Sequence, residues 1–291
     1  MAAATGAEQA RFNAPMILSR WPILVGILVL AAPTVASLAK QVWSTEAGAH
    51  GPIVLATGLW LLSRQFSELR AGAAQGSTWL TGLMSIASLA LYVGGRAYDF
   101  ISLETAGLYG FCLACLHAFV GVRPLIRNWF PLLYLGLIVP PPGWAMDSLT
   151  APLKEFASYA ATTVLGTFGV PIIREGVTLQ VAAYQLLVED ACSGMNSLVG
   201  LIAISLFYIY LLRGASWRYS LLLLTMVIPI AIAANIIRVM TLVLLTYFFG
   251  DAVAQGFLHM AAGLFLFATA LGLVFAIDNV LAALLKPRPS R

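Results

Sequence analysis

Three side chains with chemistry to offer stand near the borders of successive apolar runs in the last third of the chain. Cys192 lies in Glu189-Asp190-Ala191-Cys192-Ser193-Gly194-Met195-Asn196, immediately before the apolar run Ser197–Leu212. Arg238 lies within the run Tyr219–Phe249, and His259 opens the run that continues to Ala283. Cysteine attacks as the thiolate, which a helix N-terminus or a neighbouring cation favours. An imidazole exchanges a proton near neutral pH, so His259 is suited to activate the thiol or to protonate a leaving amine. Arginine brings permanent charge and several donors, which suit an acyl oxyanion or a substrate carboxylate. Asn235 precedes Arg238 by three residues and shares its helical face as an orienting or oxyanion partner. The set reads as nucleophilic chemistry at a membrane surface, with Ser193, Asn196 and Glu189 as supporting or substrate-binding groups.

Each residue also has a plainer reading. A membrane cysteine is commonly small apolar packing, although Ser193-Gly194 and the flanking acids set Cys192 apart. His259 alone could be an interfacial histidine. Arg238 is the hardest to dismiss, because an ionisable group within a span is expensive. Its structural alternative is an ion pair with Glu189, Asp190 or Asp251. From another class of function, the same arginine could bind an anionic substrate in a transporter or flippase, or serve a static subunit of a membrane complex.

The elements that must position these residues are membrane helices. The chain is 60% hydrophobic and 10% charged, whereas a soluble domain of this size needs a largely polar exterior. A span needs about 20 apolar residues. Met16–Ala36, Trp79–Gly94, Leu103–Val122, Ser197–Leu212, Tyr219–Phe249 and Gly256–Ala283 are strong candidates, and Gly51–Leu62 and Trp129–Val139 are weak by length alone. Loop charge decides in favour of all eight, since cytoplasmic loops accumulate Lys and Arg. With the N-terminus inside, the inner segments hold Arg11, Arg20, Arg64, Arg70, Arg123, Arg127, Arg213, Arg218, Lys286, Arg288 and Arg291; the outer loops hold only Lys40, Arg96, Lys154 and Arg174. The first span is read as a retained helix rather than a cleaved signal peptide. The expected fold class is an all-α polytopic membrane protein of about eight transmembrane helices, with both termini cytoplasmic.

Residues 1–291 are read as a single integral membrane domain with an extracytoplasmic segment at 140–190 and a catalytic core at 191–283. Pro140-Pro141-Pro142-Gly143 ends a helix and starts an extended turn. Asp147–Thr167 carries Leu149, Leu153, Phe156, Ala160 and Val164 at helical spacing, which predicts an outer-side amphipathic helix on the membrane or across the mouth of the bundle. Val170–Arg174, Val177–Val181 and Tyr184–Val188 are β-rich, so a small β-hairpin or meander delivers the chain to Cys192.

Other motifs weigh less. Cys112 and Cys115 form a CxxC within an apolar helical run, where packing is the better reading, and His117 nearby adds too little for a metal site. His50 is read as a loop residue. No HExxH, P-loop or GxSxG occurs, so no metal and no cofactor are expected. The basic residues are spread rather than clustered, which argues against a nucleic-acid partner.

Taken together, Ala191-Cys192-Ser193-Gly194, Asn235-Ile236-Ile237-Arg238-Val239, and His259 with Gly263 at the next turn resemble the exosortase/archaeosortase family of membrane transpeptidases. The resemblance extends to Gly169-Val170-Pro171 and Gly176-Val177, covering about Pro140 to Ala276. It implies a cysteine endopeptidase or transpeptidase with Cys192 as nucleophile and Arg238 and His259 as its partners. It also implies secreted protein substrates with a C-terminal sorting signal, comprising a short motif, a membrane helix and a basic tail. Cleavage would pass through a thioacyl intermediate, resolved by an acceptor nucleophile, at the outer side of a bacterial inner membrane. Asn196 stands where many members carry arginine, which bears on the motif that is read.

Overall fold

The computed structural model describes residues 21–45, 48–176, 178–181, 184–187, 198–213, 217–250, 252–254, 256 and 262–285. These residues are mostly helical, with one small sheet, and the chain divides into two compact units. The first comprises Met1–Lys40 and Ala74–Gly121, and the second Gln41–Ala73 and Val122–Arg291.

Among the described residues, three helices form the first unit: α1 (Trp21–Gln41), α4 (Thr78–Ala97) and α5 (Ile101–Val120). Glycines allow α4 and α5 to approach closely. A Cβ on Gly95 would fall 2.2 Å from the Glu104 nitrogen, and one on Gly107 would fall 2.4 Å from the Tyr92 nitrogen. Small residues at such crossings are how helices pack where no hydrophobic force drives them together. A buried polar group then joins the third helix. Glu104, 4% exposed, receives Arg96 Nη1 at 2.8 Å and Thr34 Oγ1 at 2.7 Å. Tyr92 donates to the Leu30 carbonyl at 3.0 Å. Glu104 lies in the first turn of α5 and Arg96 in the last turn of α4, so each charge also faces the favourable end of its helix dipole.

In the second unit, α2 (Gly51–Arg64), α7 (Trp129–Gly136) and α9 (Leu198–Arg213) pack as a trio, flanked by the short α3 (Phe66–Ala71) and α6 (Val122–Arg127). Contacts advance along α2 and α9 together: His50 with Gly200 at one end, Trp60 with Phe207 farther along, and Gln65 hydrogen-bonded to Tyr210 at the other. These two helices therefore run parallel. Against α9 the order along α7 reverses, with Phe130 stacked on Tyr210 at 4.1 Å and Tyr134 beside Phe207 at 6.0 Å. Thr57 and Tyr134 share a hydrogen bond of 2.9 Å between α2 and α7. Val54, Leu61, Tyr134 and Ala203 form the buried centre of the trio.

The remainder of this unit surrounds α10 (Trp217–Phe249) with α8 (Gly143–Thr167), α11 (Ala262–Leu285) and the strands β1 (Ile172–Glu175), β2 (Thr178–Val181) and β3 (Tyr184–Leu187). The strands make a three-stranded antiparallel meander in the order β1-β2-β3. The third strand extends the expected hairpin. Gly176, at φ +63°, provides the left-handed residue that its tight first turn needs.

The amphipathic helix falls where its periodicity predicts, but its large apolar residues are not its packed face. Leu149 (63%), Phe156 (52%) and Val164 (38%) point outward, while Thr150, Lys154, Ala157, Ser158, Ala161 and Leu165 form the buried stripe. Small side chains along that stripe let the helix lie close to its neighbours. The outward apolar face suits a lipid surface.

Four stretches are long and apolar enough to cross a membrane: Trp21–Gln41, Thr78–Ala97, Ile101–Val120 and Ile228–Phe249, counted among the described residues. The helices α2 and α7 hold 14 and 8 residues. At about 1.5 Å per residue they measure roughly 21 and 12 Å, below a hydrocarbon core of about 30 Å. Among the described residues four helices meet the length and hydropathy of a span, half of the eight expected. Outward-facing Leu28 (67%), Ile86 (71%) and Phe248 (68%) show the apolar exterior of a multi-pass membrane protein.

Glu104 is expected to hold the first unit together. Replacing it with alanine removes the acceptor for both Arg96 and Thr34, at a cost of about 1–3 kcal/mol. Glu104→Gln, which keeps a carbonyl acceptor, should cost less. Thermal unfolding of the two variants in detergent measures the difference, and equal midpoints for both variants and the parent protein would contradict this role.

Candidate active site

The geometry of the site starts with α10. Asn235, Arg238, Leu242 and Thr246 recur at steps of three and four along it and therefore share one face. All four are buried, at 1%, 0%, 0% and 0% exposure. Arg238 is thus a charged side chain with no exposed surface. Burial on this scale follows from packing on both sides of the stripe. On one side, Ile230, Ala231 and Ala234 meet Ala270 and Val274 of α11, with Ile202 and Tyr208 of α9 against the same cluster. On the other, Val239 and Val243 meet Ala157, Ala161 and Leu165 of α8 and Leu179, Val181 and Leu186 of the sheet.

Gly250 ends α10 in the left-handed region, φ +84°, and its nitrogen donates to the Thr246 carbonyl at 3.0 Å. This is how helices commonly stop. Tyr184, at the start of β3, has its hydroxyl 3.6 Å from where a Cβ on Gly250 would lie. Leu186, two residues on, already belongs to the cluster of Val239 and Val243. The strand therefore runs from the end of α10 back toward the level of Arg238.

Cys192, Ser193, Asn196, Glu189 and His259 lie outside the described residues. Covalent reach limits where the two reactive groups can be. Five residues link Leu187 to Cys192, at most about 17 Å of chain, and three link His259 to Ala262, at most about 10 Å. Their flanking elements, β3, α9 and α11, all pack on α10. Of the expected set, the structure brings Asn235 and Arg238 together on one buried stripe.

Two features escaped the sequence reading. His50, in a turn as expected, forms the N-cap of α2, and its side chain packs against Gly200 of α9. The polar group around Glu104 joins residues 70 positions apart, which no local pattern announces. Cys112 and Cys115 are free thiols on α5, and neighbouring His117 pairs through Nδ1 with Thr81 Oγ1 at 2.9 Å.

A polytopic helical protein built around a buried intramembrane arginine is the class that this architecture defines. Residues 42–276 match the model of the transmembrane exosortase family (Exosortase_EpsH). The chain belongs to that family, whose general class is the membrane cysteine transpeptidase. No curated protein and no solved structure matches it.

Proposed function

We propose that this protein is a cysteine transpeptidase that cleaves a C-terminal sorting signal from secreted proteins at the outer face of a bacterial inner membrane and transfers them to an acceptor nucleophile. The observation that carries this reading is Arg238, wholly buried at 0% exposure on a helix within the matched region 42–276. A buried guanidinium is retained where its charge is used, since its desolvation is costly.

In this reading the Cys192 thiolate attacks the carbonyl carbon of the scissile peptide, and negative charge develops on the carbonyl oxygen. Arg238 stabilises that oxyanion or anchors a substrate carboxylate, with Asn235 orienting beside it. The tetrahedral intermediate collapses, the C–N bond breaks, and His259 gives its proton to the departing amine. The substrate is then held as a thioester on Cys192. An acceptor nucleophile attacks this thioester, His259 takes the acceptor's proton, and the thiolate is restored. Ser193, Asn196 and Glu189 flank the nucleophile as supporting or substrate-binding groups.

Eight crossings with both termini cytoplasmic remain the proposed topology, in which the helices α2, α7 and α9 contribute three. Two of them, α2 and α9, would descend from the outer face, and α7 would ascend. Their parallel and antiparallel packing supports that order. Segment 140–190 then lies outside. Cysteines introduced singly on a cysteine-free background test the topology with an impermeant maleimide. Lys154 is unsuited because it is 8% exposed, whereas the Glu155 side chain is 67% exposed. Labelling from outside is expected for Glu155→Cys and not for Arg70→Cys or Arg123→Cys; the reverse pattern would remove secreted proteins from consideration.

Cys192→Ser should abolish processing of a membrane-anchored substrate while leaving insertion intact. Undiminished processing by the folded variant would overturn the proposal, and a transporter or structural subunit would take its place. Arg238→Lys keeps the charge but not the planar fork of donors. It is expected to slow processing by about 10² to 10³, the usual effect of losing one transition-state donor. Single-turnover rates on protein of normal abundance provide the measurement, and a near-parental lysine variant would take Arg238 out of the catalytic set.

A further inference from the structure

Four arginines gather at one end of the trio α2, α7 and α9. Gln65, the residue after α2, is hydrogen-bonded to Tyr210 of α9, and Tyr210 stacks on Phe130, the second residue of α7. The last turn of α2 and the first turn of α7 therefore lie at the same end of the trio. Two helices of six residues each are attached there, α3 just after α2 and α6 just before α7. They touch each other, since a Cβ on Gly72, the C-cap of α3, would fall 3.3 Å from Pro124 Cγ of α6. Arg70 comes two residues before Gly72 and Arg123 one before Pro124, so both side chains start beside that contact. Arg64 ends α2 and Arg127 ends α6. All four arginines are exposed, and Glu68 is the one acid in residues 60–73 and 122–130. Among the described residues, neither Arg123 nor Arg127 takes part in an ion pair.

Apolar groups stand among these charges. Leu69 and Pro124 are the buried anchors of α3 and α6, whereas Phe66, Ile126 and Trp129 are exposed. The Arg64 guanidinium lies 5.0 Å over the Trp60 ring, so a cation and an aromatic ring share one level. At about 9 Å each, α3 and α6 are too short to span a bilayer. Short helices carrying both basic and apolar groups suit the boundary between lipid headgroups and acyl chains. We propose that α3 and α6 form a site for the headgroup of an anionic phospholipid, with Arg70 and Arg123 on its phosphate, Arg64 and Arg127 flanking it, and Phe66 and Ile126 against its acyl chains. Charge complementarity selects an anion, and a guanidinium pairs with phosphate through two parallel donors. The exposed apolar residues select a lipid, since neither free phosphate nor an acidic peptide offers acyl chains. In the proposed topology this end meets the inner leaflet, where basic clusters recognise anionic lipids. The site itself requires neither that orientation nor the transpeptidase activity.

The test uses the full-length protein in detergent, titrated with dioleoylphosphatidylglycerol or dioleoylphosphatidylcholine. Native mass spectrometry gives the Kd of the first lipid bound. Phosphatidylglycerol should bind more tightly than phosphatidylcholine. Neutralising one arginine at a lipid surface costs about fivefold in affinity, so Arg70→Gln with Arg123→Gln should weaken phosphatidylglycerol binding about 25-fold and leave phosphatidylcholine binding unchanged. Lys40→Gln with Arg174→Gln removes the same charge elsewhere and should keep both Kd values at the parental level. Equal Kd values for the two lipids in the parent protein would overturn the proposal. Equal losses in the two double variants would do so as well, because net charge alone would then explain the binding. An excess of inorganic phosphate should leave the lipid bound; complete displacement would assign the arginines to a soluble anion and defeat the lipid reading. If the Arg70 and Arg123 double variant fails to accumulate, Arg123→Gln with Arg127→Gln takes its place under the same expectation. Lipid binding is measured without a protein substrate, so its outcome is separate from that of the proposed activity.

Discussion

A guanidinium with no exposed surface is the constraint on which the larger unit is built. Burying an ion costs several kcal/mol even after the surroundings relax, and that cost must be met by an environment packed tightly enough to hold it. The stripe bearing Arg238 is closed on one side by α9 and α11 and on the other by α8 and the sheet. Remove either partner and the arginine would face lipid, where its charge is least tolerable.

This makes α10 the spine of the unit. At 33 residues it is about 50 Å long, roughly 20 Å more than a hydrocarbon core requires. Arg238 lies eleven residues from its last residue, Phe249, or about 17 Å. The meander and α8 attach within the stretch Ile228–Phe249, through Val239 and Val243. A recessed arginine with walls of its own follows from that geometry. The first unit is organised by a different charge, Glu104, held by Arg96 and Thr34.

How much of this could be read from the sequence depends on whether the signal was local. The β-rich pieces after Val170 and the helix from Asp147 to Thr167 were legible because strand and helix periods differ. Arg238 and Asn235 were legible because polar residues in a long apolar run stand out, and their shared face follows from a spacing of three. The inward face of α8 was not. Periodicity identifies two faces, and in a lipid-facing protein the larger apolar one points out while Ala157, Ser158 and Ala161 pack. The short helices α2 and α7 were legible as well, since the apolar runs from Gly51 and Trp129 begin where the helices begin and polar residues such as Gln65 and Asn128 border them. The packing of His50 on Gly200 was invisible for another reason: 150 positions separate them, and no local pattern links them.

The place of the meander beside α10 has its own physical logic. Irregular backbone is tolerated at membrane depth only where its polar groups are satisfied within the protein. The chain that leaves α8 must return along α10 toward Arg238 without exposing unpaired amides, and the meander does this by pairing β3 with β2 through Thr178–Leu187 to Val181–Tyr184. A strand rises about 3.4 Å per residue, more than twice the rise of a helix, so the four residues of β3 cover a descent for which a helix would need more than twice as many. Leu186 fixes the depth of the strand against Val239 and Val243. The chain between β3 and α9 is thus joined at both ends to elements that pack on the helix of Arg238, so that helix sets the reference for everything around it.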